Sequence, residues 1–203
     1  YTDQKYGSII TRFPRTYTHP QRNMETELGN LMAECMREQL NVDLALMSSG
    51  TIRKPKLGPI ITLMDFMEVF PFVDPAVSFK LTGKQLRDIV TYMLREDSFL
   101  DGEHNEWFQC SKGFYCEFDR NTHSIISLKM NGKEVRDDDI FTVVMHKYHF
   151  LSIEKFLNLP LEEIDKNGKP VEVATNSRNV LEEYFRSHKN IKLDDEARLI
   201  IRQ

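Results

Sequence analysis

His146 and His149 are the only two of the chain's six histidines that stand close together in the sequence. They follow a short apolar segment at the end of a predicted strand. Surface histidines and hydrogen-bonded histidines are far commoner than metal ligands, so we favour that interpretation for this pair. The sequence contains no Walker-type phosphate loop, no GxSxG elbow and no HExxH pair. It therefore predicts a chain that binds a ligand and has no catalytic residue or metal site of its own.

A second feature with chemical use is the small-residue loop Ser48-Ser49-Gly50-Thr51. It follows the short apolar segment 43–47, which is the pattern of a buried strand that ends in a loop. Loops of small residues let the backbone come close to a ligand. We therefore expect this loop to lie at a binding site.

Composition limits what the ligand can be. The 203 residues are 40% apolar and 29% charged, with a formal net charge of −4, which is typical of one globular domain. Nucleic-acid polymers need clustered cations in excess, so the charge argues against such a partner. No stretch approaches the roughly 18 to 20 apolar residues of a membrane span. The compartment stays open.

Three cysteines, Cys35, Cys110 and Cys116, are too few and too irregularly spaced for a disulfide framework or a CxxC metal site. Free buried thiols are the favoured interpretation. A bridge between Cys110 and Cys116 remains the alternative.

The periodicity of apolar residues predicts both helices and strands. The predicted elements are a helix over 25–40, a strand over 77–81 followed by a helix capped by Thr82, alternating strands at 114–118 and 126–130 with a tight turn at Asn131-Gly132, a strand over 141–145, and a helix around 180–185. This mixture predicts an α+β (mixed α/β) fold in one domain. We assign residues 1–21 to an extended lead-in or linker and residues 22–203 to the domain.

Four separated segments carry more specific information. They are RNMETELGNL at 22–31, SGTIR at 49–53, GPI through VFPF at 58–72 and VSFKLTGKQL at 77–86. In this order and spacing they resemble the C-terminal domain of the 5′-nucleotidase family of two-domain metallophosphoesterases, which includes 2′,3′-cyclic-nucleotide phosphodiesterases and UDP-sugar hydrolases. The resemblance extends to residues 107–111, 131–133 and 142–144.

The resemblance implies a division of labour. A covalently linked N-terminal domain would hold two divalent metal ions and hydrolyse the phosphate ester. The present chain would be a compact domain of mixed sheet and flanking helices that binds a nucleotide or a similar phosphate ester. We expect the full-length protein to be a phosphoric-ester hydrolase. The metal domain is missing from the 203 residues, so we expect this fragment alone to be inactive.

The resemblance also implies site residues. Arg22 and Arg53 match family arginines that contact phosphate, for which the planar guanidinium suits paired bonds to phosphate oxygens. Ser48 takes the place of a family asparagine that reaches towards the phosphate.

At the other end of the implied ligand, Phe72 and Tyr148 fall where the family places the two rings that stack on the base. Asp74 and Glu154 fall where relatives contact the base or the ribose.

Two departures touch these contacts. Ser48 is shorter than the family asparagine, and Ser152-Ile153-Glu154-Lys155 replaces a Gly-Gly-Asp-Gly loop. They leave the substrate open and keep a second interpretation, a non-catalytic nucleotide-binding module that retains the fold.

Overall fold

The computed structural model describes residues 6–100 and 106–203. Residues 1–5, which begin the predicted lead-in, lie outside the described residues. The strands are β1 (Ile9–Arg12), β2 (Tyr17–Thr18), β3 (Leu44–Ser48), β4 (Lys56–Leu57), β5 (Ile60–Thr62), β6 (Ala76–Thr82), β7 (Phe108–Cys110), β8 (Phe114–Asp119), β9 (Ser124–Met130), β10 (Lys133–Glu134), β11 (Ile140–His146), β12 (Val171–Ala174) and β13 (Leu199–Arg202). The helices are α1 (Glu27–Leu40), α2 (Leu63–Val69), α3 (Gly83–Met93), α4 (Lys147–Leu151), α5 (Ile153–Leu157), α6 (Leu161–Asp165) and α7 (Ser177–Ser187).

A five-stranded mixed sheet lies at the centre, in the order β12-β6-β11-β3-β7. Strand β11 runs parallel to β3 and antiparallel to β6. Because successive side chains of a strand point to opposite faces, β3 contributes to two cores. Leu44 and Leu46 pack with α3 on one face, and Ala45 and Met47 pack with α1 on the other. These layers confirm the predicted α+β fold.

A second sheet of four strands, in the order β10-β9-β8-β13, contains the hairpin predicted from the alternating segments. The tight turn predicted at Asn131 and Gly132 joins β9 to β10, and both residues have positive φ, of 50° and 78°. This turn is confirmed.

Two of the predicted helices begin at side-chain caps. Thr26 accepts a hydrogen bond from Gly29 N and begins α1. Thr82 and Gln85 form a reciprocal capping box that begins α3. The start of α3 is predictable from the sequence because the cap and the apolar stripe lie within one segment.

The described part of the predicted lead-in packs against the domain. Strand β1 pairs with β5 and β2 pairs with β4. Phe13 and Tyr17 are buried in the same cluster as α1. Their aromatic side chains bury a large apolar area. This burial holds the short extended segment against the domain, although its sequence shows no long periodic pattern of apolar residues.

Cys35, Cys110 and Cys116 are free and buried, so the alternative of a bridge between Cys110 and Cys116 is not formed. In the described parts of the chain, no helix is both long and apolar enough to cross a membrane.

Candidate functional site

A cavity of about 560 Å³ opens at the carboxyl ends of the parallel strands β3 and β11. Parallel strands deliver their carboxyl ends to the same edge of a sheet, which is where open α/β sheets commonly bind ligands. Ser48 ends β3 and His146 ends β11, so both reach this edge. The lining residues are Arg22, Ser48, Gly50, Thr51, Arg53, Phe72, Val73, Asp74, Pro75, Glu106, His146, Tyr148 and His149.

The structure brings six of the seven predicted site residues together around this cavity. These are Arg22, Ser48, Arg53, Phe72, Asp74 and Tyr148. The seventh, Glu154, is an exposed residue of α5 and does not line the cavity. The segment that replaces the expected glycine-rich loop forms a helix, because it lacks the glycines that would favour an open loop.

Arg22 and Arg53 are exposed at the cavity, and neither has a carboxylate within 4.0 Å among the described residues. A backbone hydrogen bond of 2.8 Å from Arg53 N to Val69 O ties the small-residue loop to the end of α2. The guanidinium carbon of Arg53 then lies 5.2 Å from the centroid of the Phe72 ring. Both guanidinium groups therefore keep donors available for an anionic ligand.

Two aromatic rings supply apolar surface at the same cavity. Phe72 is 37% exposed and Tyr148 is 59% exposed, which is high for large rings in a folded domain. Such rings offer faces on which a planar heterocycle can stack.

Asp74 fixes the position of Tyr148. Its carboxylate accepts a hydrogen bond of 2.7 Å from Tyr148 N, in the first turn of α4. Its backbone oxygen accepts a bond of 2.9 Å from Ser177 N at the start of α7. One carboxylate oxygen is thus engaged in orienting the helix that carries the ring.

The hydroxyl of Ser48 is also engaged. It donates to Glu106 Oε2 at 2.5 Å and accepts from Gly50 N at 3.1 Å. The Thr51 hydroxyl donates to Ser48 O at 2.6 Å and closes the turn. A phosphate oxygen could receive the Ser48 proton only if the bond to Glu106 broke.

Glu106 is a site residue that sequence reasoning missed. Burial by itself raises the pKa of this carboxyl group, but the nearby His149 side chain and the hydrogen bond from Ser48 lower the pKa by more, to below its ordinary value. His149 Nε2 lies 3.9 Å from Glu106 Oε1. A single glutamate ahead of an apolar strand carries no periodic or motif signal, so only the fold shows that it faces the cavity.

The histidine pair lies at the cavity wall and both residues are buried. Burial, and then the neighbouring His149, lower the pKa of His146 to about 3, so this imidazole is neutral. His146 Nε2 and His149 Nδ1 lack a hydrogen-bond partner among the described residues. Over residues 6–100 and 106–203, no group of three or more His, Cys, Asp or Glu side chains is placed to hold a metal ion.

The loop that carries Arg22 is held against the Ser49 turn by Gln109, which is buried. The Gln109 amide donates to Met24 O at 2.8 Å and to Ser49 Oγ at 2.6 Å, and its oxygen accepts from Thr26 N at 3.0 Å. This side chain joins two cavity-lining segments that are far apart in the sequence.

His19 adds a second link between the same segments. Its Nε2 lies 3.2 Å from Ser49 O and its Nδ1 lies 2.8 Å from Thr26 Oγ1. A carbonyl only accepts, so Nε2 carries the proton and Nδ1 accepts from the threonine. Burial and the charge of Arg22 lower the pKa of His19, in keeping with this neutral form.

The chain is similar in sequence to a known protein family and to a bacterial relative. The profile of the 5′-nucleotidase C-terminal domain family matches residues 6–158. Endonuclease YhcR of Bacillus subtilis (strain 168) is 31% identical over 126 residues, covering 61% of this chain and 10% of that protein.

Two solved structures share the fold. The 5′-nucleotidase precursor of Thermus thermophilus superposes with a TM-score of 0.78 at 17% identity, over 98% of this chain and 40% of that one. The NAD nucleotidase NadN of Haemophilus influenzae superposes with a TM-score of 0.81 at 13% identity, over 98% of this chain and 39% of that one. The chain thus spans well under half the length of each of these proteins.

Proposed function

Because this chain belongs to the 5′-nucleotidase C-terminal domain family, we propose that it is the substrate-recognition domain of a metal-dependent phosphoesterase. The substrates would be nucleoside phosphates or related nucleotide esters. The observation that carries this proposal is the convergence of two guanidinium groups without ion-pair partners among the described residues and two exposed rings on one cavity.

The chemistry of the lining suits both ends of a nucleotide. Arg22 and Arg53 offer charge-assisted hydrogen bonds, worth roughly 1.5 to 3 kcal/mol each, to phosphate oxygens. Phe72 and Tyr148 offer faces for a base, and stacking contributes about 1 to 3 kcal/mol per base. A volume of about 560 Å³ is within the usual range for small-molecule sites.

The hydrolytic step would need a partner domain. The described residues supply no cluster of metal ligands, so they do not fit the two divalent metal ions expected for the family. In the proposed arrangement a covalently linked N-terminal metallophosphoesterase domain would hold these ions, and bound ions of this kind would supply an activated water and charge stabilisation. This chain binds and orients the ester, and residues 6–203 alone would bind without hydrolysing it.

A second candidate function is a nucleotide-binding module without catalysis. The engagement of the Ser48 hydroxyl by Glu106 and the position of Glu154 outside the cavity favour it, because one family contact position has its hydroxyl already paired and the other does not line the cavity. Phosphate release from AMP by the complete natural protein separates the two functions. Release that Arg53→Ala reduces at least tenfold supports the hydrolase, and no release supports the module.

Calorimetry on this chain tests the binding role. We expect AMP to bind more tightly than adenosine, Arg53→Ala to reduce that difference to what Arg22 supplies, and Phe72→Ala to weaken both ligands. The same affinity for AMP in the wild type and both variants would show that the nucleotide does not occupy this cavity.

A further inference from the structure

The cavity contains a carboxylate that the sequence did not assign. Glu154, the residue predicted to reach a sugar, lies on α5 and does not line the cavity, whereas Glu106 does. The Glu106 side chain is 25% exposed, so it is largely desolvated yet reachable by a ligand.

Glu106 lies between the predicted phosphate and base contacts. A Cβ atom placed on Gly50 would lie 3.6 Å from Glu106 Oε1 and 3.8 Å from a terminal nitrogen of Arg22, so these two side chains flank the same glycine. On its other side Glu106 Oε1 lies 3.9 Å from His149 Nε2, and the His149 ring contacts the Tyr148 ring at 5.1 Å. These contacts place Glu106 between Arg22 and Tyr148, so a ligand that spanned these two residues would pass Glu106.

The carboxylate has unused acceptor capacity. Oε2 accepts from Ser48, and Oε1 has no hydrogen-bond donor within 3.5 Å among the described residues. An ionised carboxylate accepts hydrogen bonds and donates none. It would repel a phosphate placed against it and attract a neutral donor group.

The geometry points to Glu106 as the residue that reads the sugar of a bound nucleotide, by accepting a hydrogen bond from a ribose hydroxyl through Oε1. This inference rests on the proposed nucleotide binding and deepens it. The sugar is the part of a nucleotide that joins the phosphate to the base, and its vicinal hydroxyls are neutral donors. A site with a buried acceptor discriminates strongly against a ligand that lacks the matching donor, so the cavity selects nucleotides with ribose hydroxyls over 2′,3′-dideoxynucleotides.

The experiment measures the affinity of this chain for AMP and for 2′,3′-dideoxy-AMP by calorimetry, in the wild type, in Glu106→Gln and in the control Glu154→Gln. Glutamine keeps the shape and an oxygen for Ser48, but it removes the charge and one acceptor. We expect the wild type to bind AMP about tenfold more tightly than the dideoxy ligand. Glu106→Gln should lose about tenfold in AMP affinity and stay within twofold for the dideoxy ligand, and Glu154→Gln should match the wild type. Thermal unfolding of each variant checks the fold.

Each other outcome overturns the inference in a recognisable way. Equal wild-type affinity for the two ligands removes sugar recognition and leaves nucleotide binding standing. If Glu106→Gln prefers AMP over the dideoxy ligand as strongly as the wild type does, another residue binds the sugar. If Glu106→Gln loses affinity equally for both ligands, Glu106 has a structural role only. No binding of either ligand by the wild type overturns the proposed function as well.

Discussion

The guanidinium carbon of Arg53 lies 5.2 Å from the centroid of the Phe72 ring, so the residue predicted to bind phosphate contacts the residue predicted to stack on a base. Arg53 closes the turn after β3, and Phe72 follows α2. The ring can restrict the arginine to orientations that face the cavity, because cation–π contacts at exposed sites contribute about 0.5 to 1 kcal/mol.

This contact predicts that the ring assists anion binding without touching the anion. We expect Phe72→Ala to weaken the affinity of this chain for inorganic phosphate about two- to fivefold, since the guanidinium loses its support. Arg53→Ala should weaken it further, and Phe72→Ala should add nothing in the Arg53→Ala background. Competition binding against a labelled nucleotide measures these affinities. Lys54→Ala is the control, because Lys54 is exposed, pairs with Glu68 and does not line the cavity. Unaltered phosphate affinity in Phe72→Ala would contradict the coupling.

We expect Tyr148 to contribute to binding of the base and not to binding of the sugar or the phosphate. We expect Tyr148→Ala to lower AMP affinity by about 1 to 3 kcal/mol, because a stacking face is lost, and to leave ribose 5-phosphate affinity within twofold. Tyr148→Phe should retain the wild-type affinity. Leu151→Ala is a matched control, since Leu151 is on the same short helix and is similarly exposed, at 58%, but does not line the cavity. Equal losses for AMP and ribose 5-phosphate would argue against stacking.

The sequence predicts single elements better than the contacts between them. Thr82 and the stripe that follows it lie in one segment, so local chemistry fixes the start of α3. The pairing of Ser48 with Glu106 joins residues 58 positions apart and depends on how β3 and β7 meet in the sheet. No periodicity in either segment encodes it.

Six of the seven site residues that the resemblance implies line the cavity, and the seventh, Glu154, does not. Arg53 and Phe72 lie in segments that carry the resemblance to the family, and both line the cavity. Glu154 lies where two glycines are replaced by Ser152 and Ile153, and side chains at those positions favour a helical path. Glu106, which the resemblance did not single out, faces the cavity instead.

Gln109 should be required for stability because it satisfies polar groups from two segments, of which Thr26 N and Ser49 Oγ are buried. In Gln109→Ala the backbone N–H of Thr26, the carbonyl of Met24 and the hydroxyl of Ser49 lose their partner. We expect the free energy of unfolding to fall by about 2 to 4 kcal/mol, since an unsatisfied buried group costs roughly 1 to 3 kcal/mol. Urea unfolding measures this. Gln39→Ala, at an exposed position of α1, should change it by less than about 0.5 kcal/mol. A loss below about 1 kcal/mol in Gln109→Ala would show that water replaces the amide.

Glu34 should make the free energy of unfolding depend on pH in the acidic range. Burial alone raises the pKa of its carboxyl group, but hydrogen bonds from the Arg37 side chain and from Lys112 N, at 2.7 Å each, lower the pKa by more. The folded pKa is therefore below the unfolded one, which is near ~4.3. At pH values between the two, the unfolded chain binds more protons, so this stabilisation is complete above the unfolded pKa and is lost as the pH falls through the folded pKa.

Glu34→Gln tests this contribution. The variant cannot ionise, so we expect it to be less stable than the wild type by about 1 to 3 kcal/mol at pH 7 and the gap to narrow steadily below about pH 4. Chemical unfolding across pH 3 to 7 gives the two curves. Glu183→Gln, at an exposed position of α7, should show the same pH dependence of the free energy of unfolding as the wild type. If the gap for Glu34→Gln stayed constant down to pH 3, the charge of Glu34 would not contribute, because protonating the wild-type carboxylate would then cost no more than protonating it in the unfolded chain.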